Sequence, residues 1–415
     1  MRSGSKLTAT ATPFRNAGPP SGKPEPQPSE AGPSSSEAEP QLGGLSPGTW
    51  DALAGRHFYS SAAWLRFCAT DFGSAGGAAV VHRGGRPVCV LPYARADESL
   101  FGSYNWVDLL TRSGLPAPPA SGLLAGPREG YQTHLLGTRD AAADVVHAIR
   151  AVTGPGQACV AMYLPTVDAV ALHRAGATPT PVLLEADAWI EVPEGGWPAW
   201  LDELSKRRRR RINEELERFR DAGYLLEEVT LGECCEQLGT LACHTLAKYG
   251  YQTRPEDELR SLRNHVRCMG DAARTTLLRT ADGRLVGFCL YYMWQDTLFI
   301  RWAGFDYDHL VGAAEYFNLV YYAQIRHAAR LGLRWVHAGL QSIAAKALRR
   351  ARLRPLWLVD LTERSPLAAA DSAIRAYNGS RYHELKADPR TAKALDEAEW
   401  RPFRELTEQG DDDYA

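Results

Sequence analysis

Apolar positions alternate with polar ones in some stretches of the chain and recur every three to four residues in others, which predicts a mixture of strands and helices. Strands are predicted at VVHRGGRPVCVLPY, ACVAMYLP, PTPVLLEADAWIEVP, RTTLLRTADGRLVGFCLYYMW, TLFIRWAGFDYD, LRWVHAGL and PLWLVDL. Helices are predicted over 139–153, 166–176, 201–223, 232–249, 255–269 and 313–332, with two short ones between 46 and 73. This alternation predicts an α/β (α+β) fold.

The two halves of this pattern are similar to each other. Gly84 and Gly85 predict a hairpin turn, and a Gly-Arg pair follows the turn in each half, at Gly85-Arg86 and at Gly283-Arg284. We therefore predict an internal duplication with a first unit over 46–195 and a second over 196–365. Residues 1–45, rich in Pro, Ser and Gly, are predicted to be a disordered tail, and 366–415 a C-terminal extension.

Composition excludes several classes of protein. The formal net charge of −2 over 415 residues is not that of a polycation, so any attraction for nucleic acid must come from local clusters. No apolar run is long enough to span a membrane, and the N-terminus lacks the apolar core of a secretory signal, so we expect a cytoplasmic protein. The eight cysteines include no Cys-x-x-Cys pair and are expected to be reduced and buried, with no metal site. The preference for Arg over Lys is typical of a GC-rich, bacterial coding sequence.

Six consecutive basic residues, Lys206–Arg211, open the predicted helix over 201–223. The helix dipole disfavours cations in a first turn, and like charges three or four residues apart repel each other. Glu214 and Glu215 compensate only some of them. Two interpretations therefore stay open: a solvated helix face, or a site where Arg207, Arg208, Arg210 and Arg211 bind phosphate.

The order of these elements resembles that of the Gcn5-related N-acetyltransferase (GNAT) superfamily. Its doubled form is similar to the Fem-type aminoacyl transferases and the BioF2-like acetyltransferases. Four segments carry the resemblance: FYSSAAWLRF, LSKRRRRRINEELERFRDAGY, RLVGFCLYYMWQDTLFIRWAGFD and GLRWVHAGLQSIAAKALRRARLRPLWLV. The resemblance implies two tandem GNAT-like units, each a mixed, mostly antiparallel sheet flanked by helices, with catalysis in the second.

The resemblance also implies a cofactor-phosphate loop in HLVGAAEYF, formed by His309, Gly312, Ala313 and Ala314. His309 stands where the family has Arg or Gln. Glu315 follows directly, and an acidic residue there repels phosphate while suiting a plain helix N-terminus. Acyl-CoA is therefore an expected co-substrate but not a tightly bound cofactor, and aminoacyl-tRNA is the alternative.

Candidate catalytic residues lie near the end of the predicted meander and in a second basic cluster. Lys346, Arg349, Arg350, Arg352 and Arg354 form that cluster. In Fem-type proteins a lysine at the matching point lies in the transfer site, so Lys346 is expected to stabilise an oxyanion or hold a phosphate.

Candidate bases for the acceptor amine are Asp306 and Asp308, with His309 and His337 considered beside them. His337 lies in a strand that looks buried and is expected to be a core residue.

Three hypotheses about function follow. The first is an acyltransferase that forms an amide on an amine of a small molecule or peptide, with acyl-CoA as donor. The second is aminoacyl transfer from tRNA to such an amine, and the two arginine clusters favour it. The third is a non-catalytic protein that binds RNA or another polyanion.

Overall fold

The computed structural model describes residues 42–72, 76–96, 102–248 and 250–401. Most of the predicted N-terminal tail lies outside the described residues. The strands are β1 Gly76–Arg83, β2 Arg86–Ala96, β3 Gly122–Ala125, β4 Leu136–Gly137, β5 Ala158–Pro165, β6 Thr178–Glu191, β7 Leu225–Thr230, β8 Arg274–Arg279, β9 Leu285–Trp294, β10 Thr297–Phe305, β11 Trp335–Gly339 and β12 Ala351–Asp360.

The helices lie between these strands and after the last of them. They are α1 Pro47–Ala54, α2 Ala62–Phe72, α3 Trp106–Arg112, α4 Ala142–Val152, α5 Thr166–Arg174, α6 Gly196–Asp202, α7 Lys206–Asp221, α8 Leu231–Cys234, α9 Gly239–Lys248, α10 Pro255–Met269, α11 Glu315–Phe317, α12 Ala323–Arg330, α13 Ile343–Ala347, α14 Asp371–Ala387 and α15 Pro389–Ala392. A π-helical turn, Asn318–Tyr322, joins α11 to α12.

The strands form one continuous sheet in which the two halves of the chain interleave. Its order is β1-β2-β3-β5-β12-β6-β11-β10-β9-β8-β7, with β4 beside β2. The last strand of the first half, β6, lies between β11 and β12, and β12 in turn lies between β6 and β5. Most pairings are antiparallel, which confirms the predicted α/β fold with a mostly antiparallel sheet flanked by helices. The boundary near 195 stays a prediction, because the sheet runs across it.

The two faces of the sheet carry different cores because successive side chains of a strand point to opposite sides. Cys289 and Tyr291 of β9 belong to the large cluster that includes Ile212 of α7 and Ile325 of α12. Phe288, Leu290 and Tyr292 face the other side, where they pack with α2 and α10. Four aromatic residues near the start of the fold are buried: Trp50, Phe58, Trp64 and Phe67.

The prediction of a single helix over 201–223 is wrong for the first part of that range. Ser205 has extended backbone angles, and its hydroxyl accepts from the N–H of Arg208 at 3.3 Å, so it caps a new helix, α7, that begins at Lys206. The segment before it forms the separate helix α6. A serine followed by a run with high helix propensity permits either one continuous helix or two separate ones. Trp200 of α6 is buried in the core, and this packing favours two separate helices.

The last segments that the structure describes, up to residue 401, pack against the sheet. α14 covers β6, where Asn378 is buried and accepts from the N–H of Leu183 at 2.8 Å. Trp400 is also buried, and its indole N–H donates to the carbonyl of Leu353. All eight cysteines are buried and unpaired, as predicted. No helix in the described part of the chain combines the length and the apolar character needed to cross a membrane.

Candidate active site

Asp187 on β6 and His337 on β11 form a hydrogen-bonded pair at the centre of the sheet. The ring Nε2 of His337 donates to Oδ1 of Asp187 at 2.8 Å, and both side chains are 0% exposed. Oδ2 accepts from Gln132 Nε2 and from Trp189 Nε1, each at 2.7 Å. Burial alone would raise the pKa of the Asp187 carboxyl. The charge and the hydrogen bond of His337, the hydrogen bond of Trp189 and the charge of Lys346 outweigh burial and lower that pKa, so Asp187 is ionised.

A cavity of about 300 Å³ opens beside Asp187. Both halves of the chain line it: Arg56, His57, Gln132, His134, Arg139, Pro165, Val167, Asp187, Trp189, Thr297, Arg334, Trp335, Arg354, Pro355, Leu356 and Glu399. The lining combines apolar walls with a few charged groups, which is typical of a small-molecule site.

Two histidines stack on one wall of this cavity. The rings of His57 and His134 are 3.6 Å apart between centroids with 20° between their planes. Burial, and then the neighbouring His134, lower the pKa of His57, so its ring is neutral. His134 lies 3.3 Å from the buried Asp168 carboxylate, which also accepts from Arg139 Nε at 2.7 Å.

The crevice between β10 and β11 is filled by a loop from the first half. The two strands pair in parallel only from Thr297 to Phe299 on the β10 side, and then separate. Tyr131 enters there, and its hydroxyl donates to the carbonyl of Arg301 at 3.2 Å. The guanidinium of Arg301 forms a buried ion pair with Glu129 of the same loop. The ring of Tyr131 lies so close to Gly339 that a Cβ atom added at residue 339 would be 3.0 Å from the ring.

Lys346 holds the turn that follows β11. Gln341 and Ser342 in this turn both have positive φ angles, 60° and 43°, an unfavourable conformation for such residues. The Lys346 ammonium is 4% exposed and donates to the carbonyls of Gly339, at 3.0 Å, and Leu340. Burial lowers the pKa of Lys346 to about 7, although the negative charges of Asp187 and Glu185 act to raise it.

The loop before α11 is occupied by one of the chain's own carboxylates. Glu315 is 4% exposed, and its Oε1 accepts from the N–H of Val311 at 2.9 Å and from the hydroxyl of Tyr224 at 3.0 Å. Among the loop's other candidate residues, Gly312 is exposed and Ala313 is buried. Ala314, directly before the helix, has a φ of 62°.

Asp306 and Asp308 directly follow β10, as predicted. Asp306 accepts from His309 Nδ1 at 2.8 Å, and Nε2 of the same ring lies 2.6 Å from a guanidinium nitrogen of Arg284. Asp308 and His309 are exposed, and neither lines the cavity beside Asp187.

The basic run on α7 is partly neutralised. Arg210 pairs with Glu214 at 3.1 Å, and Arg211 pairs with Glu215 at 3.3 Å. Among the described residues, neither Arg207 nor Arg208 has a carboxylate within ion-pair distance. Burial and then the charge of Arg349 lower the pKa of Arg208.

Solved structures share this architecture. FemX superposes with a TM-score of 0.53 and 11% identity, covering 79% of this chain and 98% of its own. L-PGS from Bacillus licheniformis superposes with a TM-score of 0.50 and 14% identity, covering 83% of this chain and 99% of its own. The chain has the Fem-type fold. No family model matches the sequence, and no curated protein matches it.

Within this Fem-type fold, the second basic cluster does not form one surface. Lys346 is turned to the backbone, and Arg349 is buried against Glu215 at 3.2 Å. Arg350 pairs with Glu203, and Arg352 pairs with Glu191. The cluster disperses because α13 ends at Ala347 and β12 begins at Ala351, so Arg352 and Arg354 lie on one face of a strand instead of continuing a helix face.

Asp187 and most of its neighbours were not among the residues that the sequence singled out, although His337 had been considered as a base. Of the candidate residues, Arg354 of the second basic cluster lines the cavity, whereas Lys346, Asp306, Asp308 and the predicted cofactor-binding residues do not. A signal was present in PTPVLLEADAWIEVP, where Glu185 and Asp187 interrupt an otherwise apolar strand. Gln132, His134 and Arg139 gave no comparable signal, because only the fold brings their segment to β6.

Replacement of Lys346 by Met is expected to change how stability depends on pH. In the wild type, between about pH 7 and 10.5, the unfolded chain binds a proton at Lys346 that the folded chain does not. The wild-type free energy of unfolding should therefore rise with pH in this window, relative to the variant, by up to about 1.4 kcal/mol per pH unit. Denaturant unfolding at several pH values measures this slope. The exposed Lys248→Met is the control and should retain the wild-type slope; a Lys346→Met slope equal to wild type would contradict the prediction.

Proposed function

We propose that this protein is an acyltransferase that forms an amide on an amine, and that its donor is an aminoacyl ester of tRNA. The Fem-type fold supports acyl transfer in general, and the arrangement of charges supports the choice of donor. The observation that carries this choice is the position of Glu315.

Glu315 argues against a CoA donor. In GNAT-like proteins the cofactor pyrophosphate is expected at the loop before this helix. Here a buried carboxylate already accepts the N–H of Val311 and is hydrogen-bonded to Tyr224. A pyrophosphate at this position would meet like charge, and displacing Glu315 would leave buried polar groups unpaired.

The basic end of α7 offers phosphate contacts elsewhere. Arg207 is exposed and Arg208 is half-buried, and among the described residues neither pairs with a carboxylate. Arg349 and Lys346 are buried, so contacts with an RNA backbone would be confined to the exposed cations at the start of α7.

Asp187 is placed to hold the acceptor. A carboxylate has about four lone-pair positions, and His337, Gln132 and Trp189 use three of them. Because its side chain has no exposed surface, Asp187 attracts an ammonium in the cavity through its charge and not through direct contact. After this amine loses a proton, its nitrogen attacks the ester carbonyl carbon. The new C–N bond replaces the C–O bond to the terminal ribose, whose oxygen leaves with a proton.

A binding and transfer assay with labelled, aminoacylated bulk tRNA tests the proposal, with acetyl-CoA as competitor at low and physiological salt. We expect saturable tRNA binding that weakens steeply with salt, transfer of label to free amino acids, and no competition by acetyl-CoA. The double variant Arg207→Gln/Arg208→Gln should reduce the slope of log affinity against log salt by about 2.

The matched control removes two exposed charges from the other face of the sheet, in Arg260→Gln/Arg267→Gln on α10. It should bind tRNA like the wild type. Saturable acetyl-CoA binding with acetyl transfer would establish a thioester donor instead. Tight tRNA binding without loss of label to any amine would establish a non-catalytic RNA-binding protein.

A further inference from the structure

A chain of hydrogen bonds joins Asp187 to a second buried carboxylate, Asp168 of α5. Nε2 of Gln132 donates to Oδ2 of Asp187 at 2.7 Å, and Oε1 of the same amide lies 3.3 Å from Nε2 of His134. Nδ1 of His134 lies 3.3 Å from Oδ2 of Asp168. The four residues are at most 6% exposed. Each of these contacts is therefore costly to break, because a buried polar group that loses its partner has no solvent to replace it.

The two carboxylates fix the direction of every hydrogen bond in this chain. Asp187 is ionised and only accepts, so the Gln132 amide turns its NH2 group to Asp187 and its carbonyl oxygen to His134. Asp168 forms an ion pair with Arg139, whose Nε donates to it at 2.7 Å. Each ring nitrogen of His134 thus faces an acceptor. The imidazole must carry two protons and a positive charge to satisfy both.

The stacked ring of His57 agrees with a positive charge on His134. The two ring centroids are 3.6 Å apart, and two imidazolium rings at this distance would repel each other. Burial, and then the charge of His134, lower the pKa of His57, so the pair carries one positive charge. The other charged groups that face this pair in the described part of the chain are Asp168 on α5, Arg139 after β4, and Arg56 after α1.

Loss of one proton from His134 would reverse the order of the chain. The neutral ring keeps one N–H, which the Asp168 carboxylate retains at Nδ1. Nε2 of His134 then becomes an acceptor and repels Oε1 of Gln132, so the amide turns over. Its carbonyl oxygen would face Asp187, and that carboxylate would lose one of its three donors.

From these contacts we propose that Asp168 and His134 are positioning residues for Asp187: through Gln132, the charged His134 keeps the Asp187 carboxylate hydrogen-bonded and ionised. The negative charge behind the cavity wall is thereby coupled to a proton held in the first half of the chain. The effect on an acceptor amine rests on the proposed function. The coupling itself requires no substrate.

Nuclear magnetic resonance of the full chain with 15N-labelled histidine tests the coupling without any substrate. We expect both ring nitrogens of His134 to carry protons at neutral pH, and His134→Gln identifies their signals. The Nε2 proton of His337, which is donated to Asp187 at 2.8 Å, reports on that carboxylate. It should shift in Asp168→Asn, and also in the wild type when alkaline pH removes the second proton of His134.

Gln132→Met breaks the link between the two carboxylates and leaves the ion pair of Asp168 in place. In this background neither Asp168→Asn nor alkaline pH should shift the His337 proton further. The pH titration of Gln132→Met against the wild type also decides the question if Asp168→Asn does not fold. Asp144→Asn is the matched control, because Asp144 is exposed on α4, where it pairs with Arg83, and it should leave the His337 signal unchanged.

In the transfer assay, Asp168→Asn should raise KM for the acceptor amine roughly 5-fold and leave kcat nearly unchanged, since it weakens one hydrogen bond to the charge that attracts the amine. A neutral His134 at neutral pH overturns the inference. An equal shift of the His337 proton with and without Gln132→Met overturns it as well. If that proton responds as expected but no transfer occurs, the proposed function alone is refuted.

Discussion

Replacement of Asp187 by Asn is expected to lower kcat/KM for amide formation roughly 10-fold or more, because it removes the negative charge behind the cavity wall and disturbs the groups that donate to it. Asparagine has nearly the same shape, but its NH2 group must face either His337 or the pair Gln132 and Trp189, all of which donate to Asp187. We therefore also expect a loss of about 3 kcal/mol in the free energy of unfolding. Steady-state transfer kinetics and denaturant unfolding measure the two effects.

Asp360→Asn provides the control for the Asp187 substitution. Asp360 is equally buried on β12, where its carboxylate accepts hydrogen bonds from the Ser365 hydroxyl and the Thr362 N–H. It does not line the cavity. Burial raises the pKa of the Asp360 carboxyl, so neutralising it should cost little stability and leave the transfer rate unchanged. A wild-type rate for Asp187→Asn would remove that carboxylate from the site.

Replacement of Arg349 by Met is expected to lower the free energy of unfolding by about 3 kcal/mol or more. Arg349 is 3% exposed and pairs with the buried Glu215, and it also donates to the hydroxyl of Tyr322. Its guanidinium carbon lies 3.6 Å from the ring centroid of Phe317. Removing the cation leaves the Glu215 carboxylate buried, and among the described residues Arg211 is then the one remaining cation within ion-pair distance of it. Urea unfolding monitored by tryptophan fluorescence measures the loss.

The companion variant Arg349→Met/Glu215→Leu distinguishes the lost charge pair from lost packing. Because it removes both buried charges, it should be more stable than Arg349→Met alone. If Arg349→Met unfolds within about 0.5 kcal/mol of the wild type, the ion pair has no structural role.

Local sequence determined most of the elements of this protein. The alternation around Gly84-Gly85 and in the meander of β8, β9 and β10 was sufficient, because strand periodicity and turn residues are local properties. The break at Ser205 was missed because capping competes with helix propensity over a few residues, and packing decides between them.

The tertiary structure decided which side chains meet. The exchange of β6 and β12 between the halves brings Asp187 beside His337 and Arg354, which lie 150 or more positions later in the chain. Likewise, the sequence showed that Glu315 would oppose a phosphate, but only the fold shows its carboxylate on the N–H of Val311. Hydrophobic periodicity specifies which face of an element is buried. It does not specify which strand becomes its neighbour, because that choice depends on contacts distant in sequence.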